Sequence, residues 1–287
     1  MYDICCIGHI TSDKVVTSRS VVYMPGGTAY YFSCAMSRLD VNYLLLTALG
    51  EKELGYADTL RNKGIEIQVQ PSAQTVFFEN IYGDDPDHRT QNVLEVADPF
   101  EVEYVKDINA RIFHLGPLLA DDFPADVVEN LAEKGMISLD VQGYLRKVIN
   151  QKVYAAEWAD KAQVLPYINI LKADVAELNA LTGMDNVHKG VKALAEYGIS
   201  EIIITNASKG SMIWHEGNYY NIPAYMPGIV VDTTGCGDTY MAGYLYKRAK
   251  GTGVEEAGHF AAAMSGLKTA VPGAFEGTEN EILKFYR

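Results

Sequence analysis

Two carboxylates bracket two glycines in Asp232-Thr233-Thr234-Gly235-Cys236-Gly237-Asp238, at the point where an apolar run turns into a helix. A glycine-rich turn opening a helix leaves backbone N–H groups at the positive end of the helix dipole. Such a place holds a phosphate or a developing anion. The amides of Gly235, Cys236 and Gly237 are the candidates for that anion hole. Asp238 lies inside it, where a negative side chain is costly unless it has a task. Taking the proton from a hydroxyl is the obvious task, and a base beside an anion hole reads as phosphoryl transfer. The bland alternative is an ordinary strand–turn–helix link whose glycines serve only the turn.

The elements around the motif suit that chemistry. After Asp238, an apolar stripe of Met241, Tyr244 and Leu245 marks a helix, with Lys247, Arg248 and Lys250 in its last turn and Gly251 as its stop. Upstream, residues 2–8 read as a buried strand, with short β-like pieces near 14–16 and 20–23, a helix over 28–39, a strand over 43–48 and a helix over 54–63. Segments 75–82 and 89–96 flank the polar turn Gly83-Asp84-Asp85-Pro86-Asp87 and form an antiparallel hairpin. From 111 onward strands and helices alternate again, with strands expected at 111–115, 136–140, 167–171, 201–205, 211–215 and 219–222. Alternation of that kind implies a doubly wound α/β domain: a mostly parallel sheet with helices on both faces and ligands beyond the carboxyl ends of its strands.

Bulk properties narrow the function further. The 287 residues suffice for one domain with a large core, and the formal net charge of −13 argues against nucleic-acid and anionic-membrane partners. No apolar run is long enough to span a bilayer, and Met1-Tyr2-Asp3 leads straight into a strand rather than a signal peptide. Cys5, Cys6, Cys34 and Cys236 lack C-x-x-C spacing, and adjacent Cys5 and Cys6 face opposite sides of their strand. They read as buried thiols of a cytoplasmic protein.

Asp232 to Asp238 resembles the D-T-x-G-A-G-D signature of the PfkB (ribokinase-like) carbohydrate kinases, with Cys236 where alanine is usual. The resemblance accommodates nearly the whole chain as a single ribokinase-like domain over 1–287. It implies a small β-sheet lid over the sugar, built from about 10–25 and 65–105, which pairs subunits in many members and so raises a homodimer. It also implies ATP and Mg2+, with a monovalent cation as a further cofactor. Gly26-Gly27-Thr28-Ala29-Tyr30-Tyr31 resembles the family's G-G-x-x-x-N motif, whose bare glycines let backbone approach a polyol. Tyr31 stands where a sugar-binding asparagine is usual, a departure similar to inositol-kinase-like members and a pointer to a cyclitol. Asp13 matches the aspartate that accepts hydrogen bonds from substrate hydroxyls, and Asp232 supports the loop or the cation environment at the substrate side.

Other segments match more loosely. Asp174 and Glu177 resemble an N-x-x-E element that orients magnesium-bound water, although the same pair is also good helix-start chemistry. Asp140 to Arg146 resembles D-x-N-x-R after a strand. Thr205 to Gly210 resembles the nucleotide-phosphate loop T-x-G-x-x-G with Ala207 replacing a glycine, and Gly273 falls where the family closes over adenine. The expected reaction is transfer of the ATP γ-phosphoryl group to a hydroxyl of a small sugar or polyol. Two rivals remain: a nucleoside or pyrimidine kinase of the same fold, and a non-catalytic sugar-binding sensor. A dinucleotide-binding dehydrogenase fits poorly, since no G-x-G-x-x-G follows the first strand.

Overall fold

A computed structural model describes residues 1–17, 20–82 and 89–286, so the expected turn at 83–87 lies outside the described residues. In chain order the strands are β1 (Tyr2–Gly8), β2 (Thr11–Val16), β3 (Val21–Gly26), β4 (Tyr43–Leu49) and β5 (Glu66–Pro71). Next come β6 (Phe77–Tyr82), β7 (Arg89–Glu95), β8 (Ala110–Gly116), β9 (Met136–Asp140) and β10 (Arg146–Ile149). The last are β11 (Lys152–Ala155), β12 (Ile170–Asp174), β13 (Glu201–Thr205), β14 (Ser211–His215) and β15 (Asn218–Ile222).

Nine of them form one sheet in the order β15-β14-β13-β12-β9-β8-β1-β4-β5. It is parallel from β5 through β13, with β14 and β15 added antiparallel at one edge. Its central strands are apolar runs because both faces are covered; β4 is buried at every position. In β1 the side chains alternate as expected. Ile4 and Cys6 join a core with Phe32, Met241, Tyr244 and Phe260, while Cys5 and Ile7 join the opposite core with Phe113, Leu139 and Leu178. The first face carries the helices Thr28–Met36, Cys236–Ala249 and Val254–Thr269; the second carries Ala125–Ala132, Val175–Thr182 and Val187–Ala195. This is the doubly wound α/β architecture.

The chain order reverses at β1, with β4 on one side and β8 on the other, so a crevice opens beyond the carboxyl ends of these strands. A six-stranded sheet has the order β10-β11-β7-β6-β2-β3; its β2 follows directly on the carboxyl end of β1, and β3 leads directly into the Thr28–Met36 helix. Its boundaries differ from the expected 10–25 and 65–105 in two respects. Glu66–Pro71 pairs parallel with β4 as an edge of the large sheet, and Arg146–Ala155 supplies two unexpected strands to the small one. Among the described residues no helix is long and apolar enough to cross a membrane.

Candidate active site

The motif turn is locked by its neighbour. Gly235 takes φ 74° and serves as N-cap of the Cys236–Ala249 helix, which no side chain caps. A Cβ at Gly235 would stand 2.4 Å from Cγ and Cδ1 of Tyr31, so only glycine fits both the left-handed backbone and the ring lying on it. Tyr31, which the sequence placed against substrate, is buried with its ring packed on this turn. The expected trio of anion-hole amides needs one correction: Cys236 N donates to Thr233 O at 3.3 Å, which engages it within the turn.

Gly237 faces a cation that the sequence reading passed over. A methyl group there would come within 3.3 Å of Lys172 Nζ. Lys172 lies buried in the middle of β12 and donates at 2.8 Å to Oδ2 of Asp140, the last residue of β9. Burial would push the lysine's pKa down, but Asp140, Glu177 and Asp238 together raise it, so it stays charged. Asp238 moves the other way for a carboxylate. Burial and then the negative charge of Asp140 push it up to about 6, against the pull of Lys172, a Thr28 hydrogen bond and Arg146. Glu177 is raised as well, by burial and by Asp140. A lysine in the middle of the apolar run Ile170-Leu171-Lys172-Ala173 was the signal that could have found this group.

Asp174 and Glu177 close a capping box on the Val175–Thr182 helix: each backbone N–H donates to the other's carboxylate at 2.7 Å. Their helix-start chemistry is therefore present, and it engages one oxygen of each. Among the described residues no group of three His, Cys, Asp or Glu side chains could hold a metal by itself.

On the opposite wall, Asp13 accepts from Thr11 Oγ1 at 2.6 Å. Gly26 and Gly27 were expected to lie bare against a ligand, yet the protein already fills the space above them. A Cβ on Gly26 would meet Asp13 Oδ2 at 2.4 Å, and one on Gly27 would meet the His9 carbonyl at 2.5 Å. Gly27, at φ 84°, is also the N-cap of the Thr28–Met36 helix, again without a side-chain cap. Two uncapped helix starts thus meet here, with Thr28 of one hydrogen bonded to Asp238 of the other. Asp232 does not present its carboxylate to this space. Oδ2 accepts from Lys268 at 2.8 Å and from Gly273 N at 3.1 Å, while Oδ1 accepts from Thr234 N at 2.9 Å. Burial opposes its ionisation, but these bonds hold it below the usual carboxylate range.

Beside the turn runs a cavity of about 440 Å3, reaching from Thr233, Cys236 and Gly237 to Tyr225, Met226 and Ala262. Thr205 and Gly210 line it. The Gly273 amide donates to Asp232 Oδ2 behind the loop. The cavity's apolar wall from Tyr225 to Ala262 bears no motif and could not be picked out in the sequence.

The sequence profile of the pfkB family of carbohydrate kinases matches residues 1–281. The chain belongs to that family. Among its relatives is the cytidine kinase of Thermococcus kodakarensis, 24% identical over 270 residues, which cover 89% of this chain and 92% of that one. A pyrophosphate-dependent kinase of the ribokinase family, solved with a pyrophosphate analogue and myo-inositol, superposes with a TM-score of 0.85 at 27% identity, covering 98% and 99% of the two chains. Arabidopsis thaliana ribokinase, solved with ribose and ATP, shares the fold at TM-score 0.81 and 21% identity over 100% and 99%. As a pfkB kinase the protein is a phosphotransferase with an alcohol group as acceptor.

Proposed function

We propose that this pfkB kinase moves the γ-phosphoryl group of ATP onto a hydroxyl of a small polyol or sugar. The observation that carries the reading is Asp238, raised to about 6, beside both an uncapped helix start and the Lys172 ammonium. In this reading Asp13 accepts a hydroxyl hydrogen bond from the acceptor and Asp238 takes the proton of the attacking hydroxyl. The N–H groups at the helix start and Lys172 stabilise the charge that spreads over the transferring group. Bound magnesium would neutralise phosphate charge, and Glu177 with Asp140 supplies the carboxylates that suit its water shell. An ion that keeps most of its waters fits a site where, among the described residues, no three such side chains converge.

The donor reading rests on the cavity. Pyrophosphate has no base to bury, whereas about 440 Å3 walled by Tyr225, Met226 and Ala262 suits a purine ring. For the acceptor, the inositol-bound neighbour favours a cyclitol and the cytidine kinase relative a nucleoside. Tyr31 weighs against the nucleoside, because its ring is occupied by Gly235 and is no stacking platform for a base. The test is nucleoside diphosphate or phosphate release with Mg·ATP or Mg·pyrophosphate across inositols, pentoses, hexoses and nucleosides. One acceptor that stimulates release from ATP is expected. Turnover with pyrophosphate alone would overturn the donor, and silence with every acceptor would leave a sensor.

A further inference from the structure

Lys268 is fully buried in the last turn of the Val254–Thr269 helix, directly behind the motif loop. Its ammonium donates to the Asp232 carbonyl at 3.0 Å, to Asp232 Oδ2 at 2.8 Å and to the Val271 carbonyl at 3.4 Å. An ammonium has three donors, and all three are used here. Thr269 O receives the Val231 and Asp232 amides, so the end of this helix and the entry to the loop are laced together around the same point. Two backbone carbonyls and a carboxylate turned onto one buried point are oxygen ligands of the kind that hold a hard cation. The ammonium of Lys268 already fills that point, and a free ion does not fit.

We infer that Lys268 is a covalently tethered replacement for a monovalent cation, and that it positions the Asp232–Asp238 loop without any dissolved ion. The cation raised by the family resemblance is therefore not required by this chain. Lys268 is a positioning residue: it reaches the site only through Asp232, which in turn fixes the Thr234 amide at 2.9 Å and the Gly273 amide at 3.1 Å. Its turnover arm rests on the kinase reading, whereas its stability arm does not.

The test compares wild type with Lys268→Ala in potassium, ammonium, sodium and choline chloride at one ionic strength, reading melting temperature and, with the acceptor found above, kcat and KM. Wild type is expected to keep its melting temperature and its rate within about twofold across all four salts, since its loop contains its own charge. In choline, Lys268→Ala is expected to lose about tenfold or more in kcat, the size usual for a misplaced anion hole. Potassium or ammonium, entering the vacated oxygen set, should restore several-fold of that loss and raise the variant's melting temperature. A merely structural lysine would give no such ion-specific rescue. A wild type that needs potassium overturns the inference, as does a folded Lys268→Ala indifferent to every salt. Should the variant not fold, the wild-type salt series decides alone.

Discussion

Asp238 owes its pKa of about 6 to burial and to Asp140, and the opposing influence of Lys172 keeps it from rising further. A base works in its ionised form, so kcat/KM is expected to fall as pH drops through about 6 and to level off above it. The neighbours move that limb in opposite directions. Asp140→Asn removes a negative charge and should shift it to lower pH; Lys172→Met removes a positive one and should shift it higher. A pH–rate profile of each variant checks both signs, and coincident limbs would remove these two groups from the account. Asp238→Asn should lose roughly 10²- to 10⁴-fold in kcat while its melting curve stays near wild type, the span usual for one general base. At this scale glycine spacing, a local signal, singled out Asp238 as the candidate base, whereas Asp13 came only from the family resemblance. Lys172 and Lys268 stayed hidden since their meaning depends on Asp140 and Asp232, which lie 32 and 36 residues away.

The element that decides the geometry is the meeting of two helix starts, held by the Tyr31 ring on Gly235. Gly235→Ala places a Cβ both at φ 74° and inside that ring, and should cost about 1–3 kcal/mol of stability. Tyr31→Ala clears the collision but not the backbone strain. The double variant should therefore be more stable than the sum of the singles by at least about 0.5 kcal/mol, measurable by denaturant titration. Additive losses would mean that the two residues do not touch. Both helices were legible, since each follows glycine and shows an apolar face. The β10–β11 hairpin was not: it turns on Asn150 and Gln151 at φ 49° and 66°, and a glutamine gives no hint of a positive φ. Glu66–Pro71 was misassigned because a half-buried edge strand alternates like a strand of a one-sided sheet.

Across the whole molecule, the small sheet ends at β3, an edge strand on which Val21, Val22 and Tyr23 are 54%, 48% and 62% exposed. An apolar edge of that kind invites pairing with another chain. Copies are expected to sediment as dimers, and Val22→Lys with Tyr23→Asp to sediment as monomers; a wild-type monomer would reject the pairing. The cavity gives a second test at this scale. Ala262→Trp should fill it, raise KM for ATP by about tenfold or more and leave the melting temperature largely unchanged, because the new ring occupies space meant for ligand. An unaltered KM would put the base elsewhere. The doubly wound plan was readable from the alternation of apolar runs, whereas the pocket wall has no local signature at all.

The candidate catalytic constellation draws Asp13, Thr28, Asp140, Lys172 and Asp238 from five separate segments, and Lys268 braces it from a sixth. The Asp232–Asp238 stretch holds the base and the helix-start amides but neither Lys172 nor Asp13. During synthesis the site is therefore expected to stay incomplete until the last of these segments has been made and folded. Onset of activity in a translation reaction would then report completion of the fold rather than the arrival of any single motif.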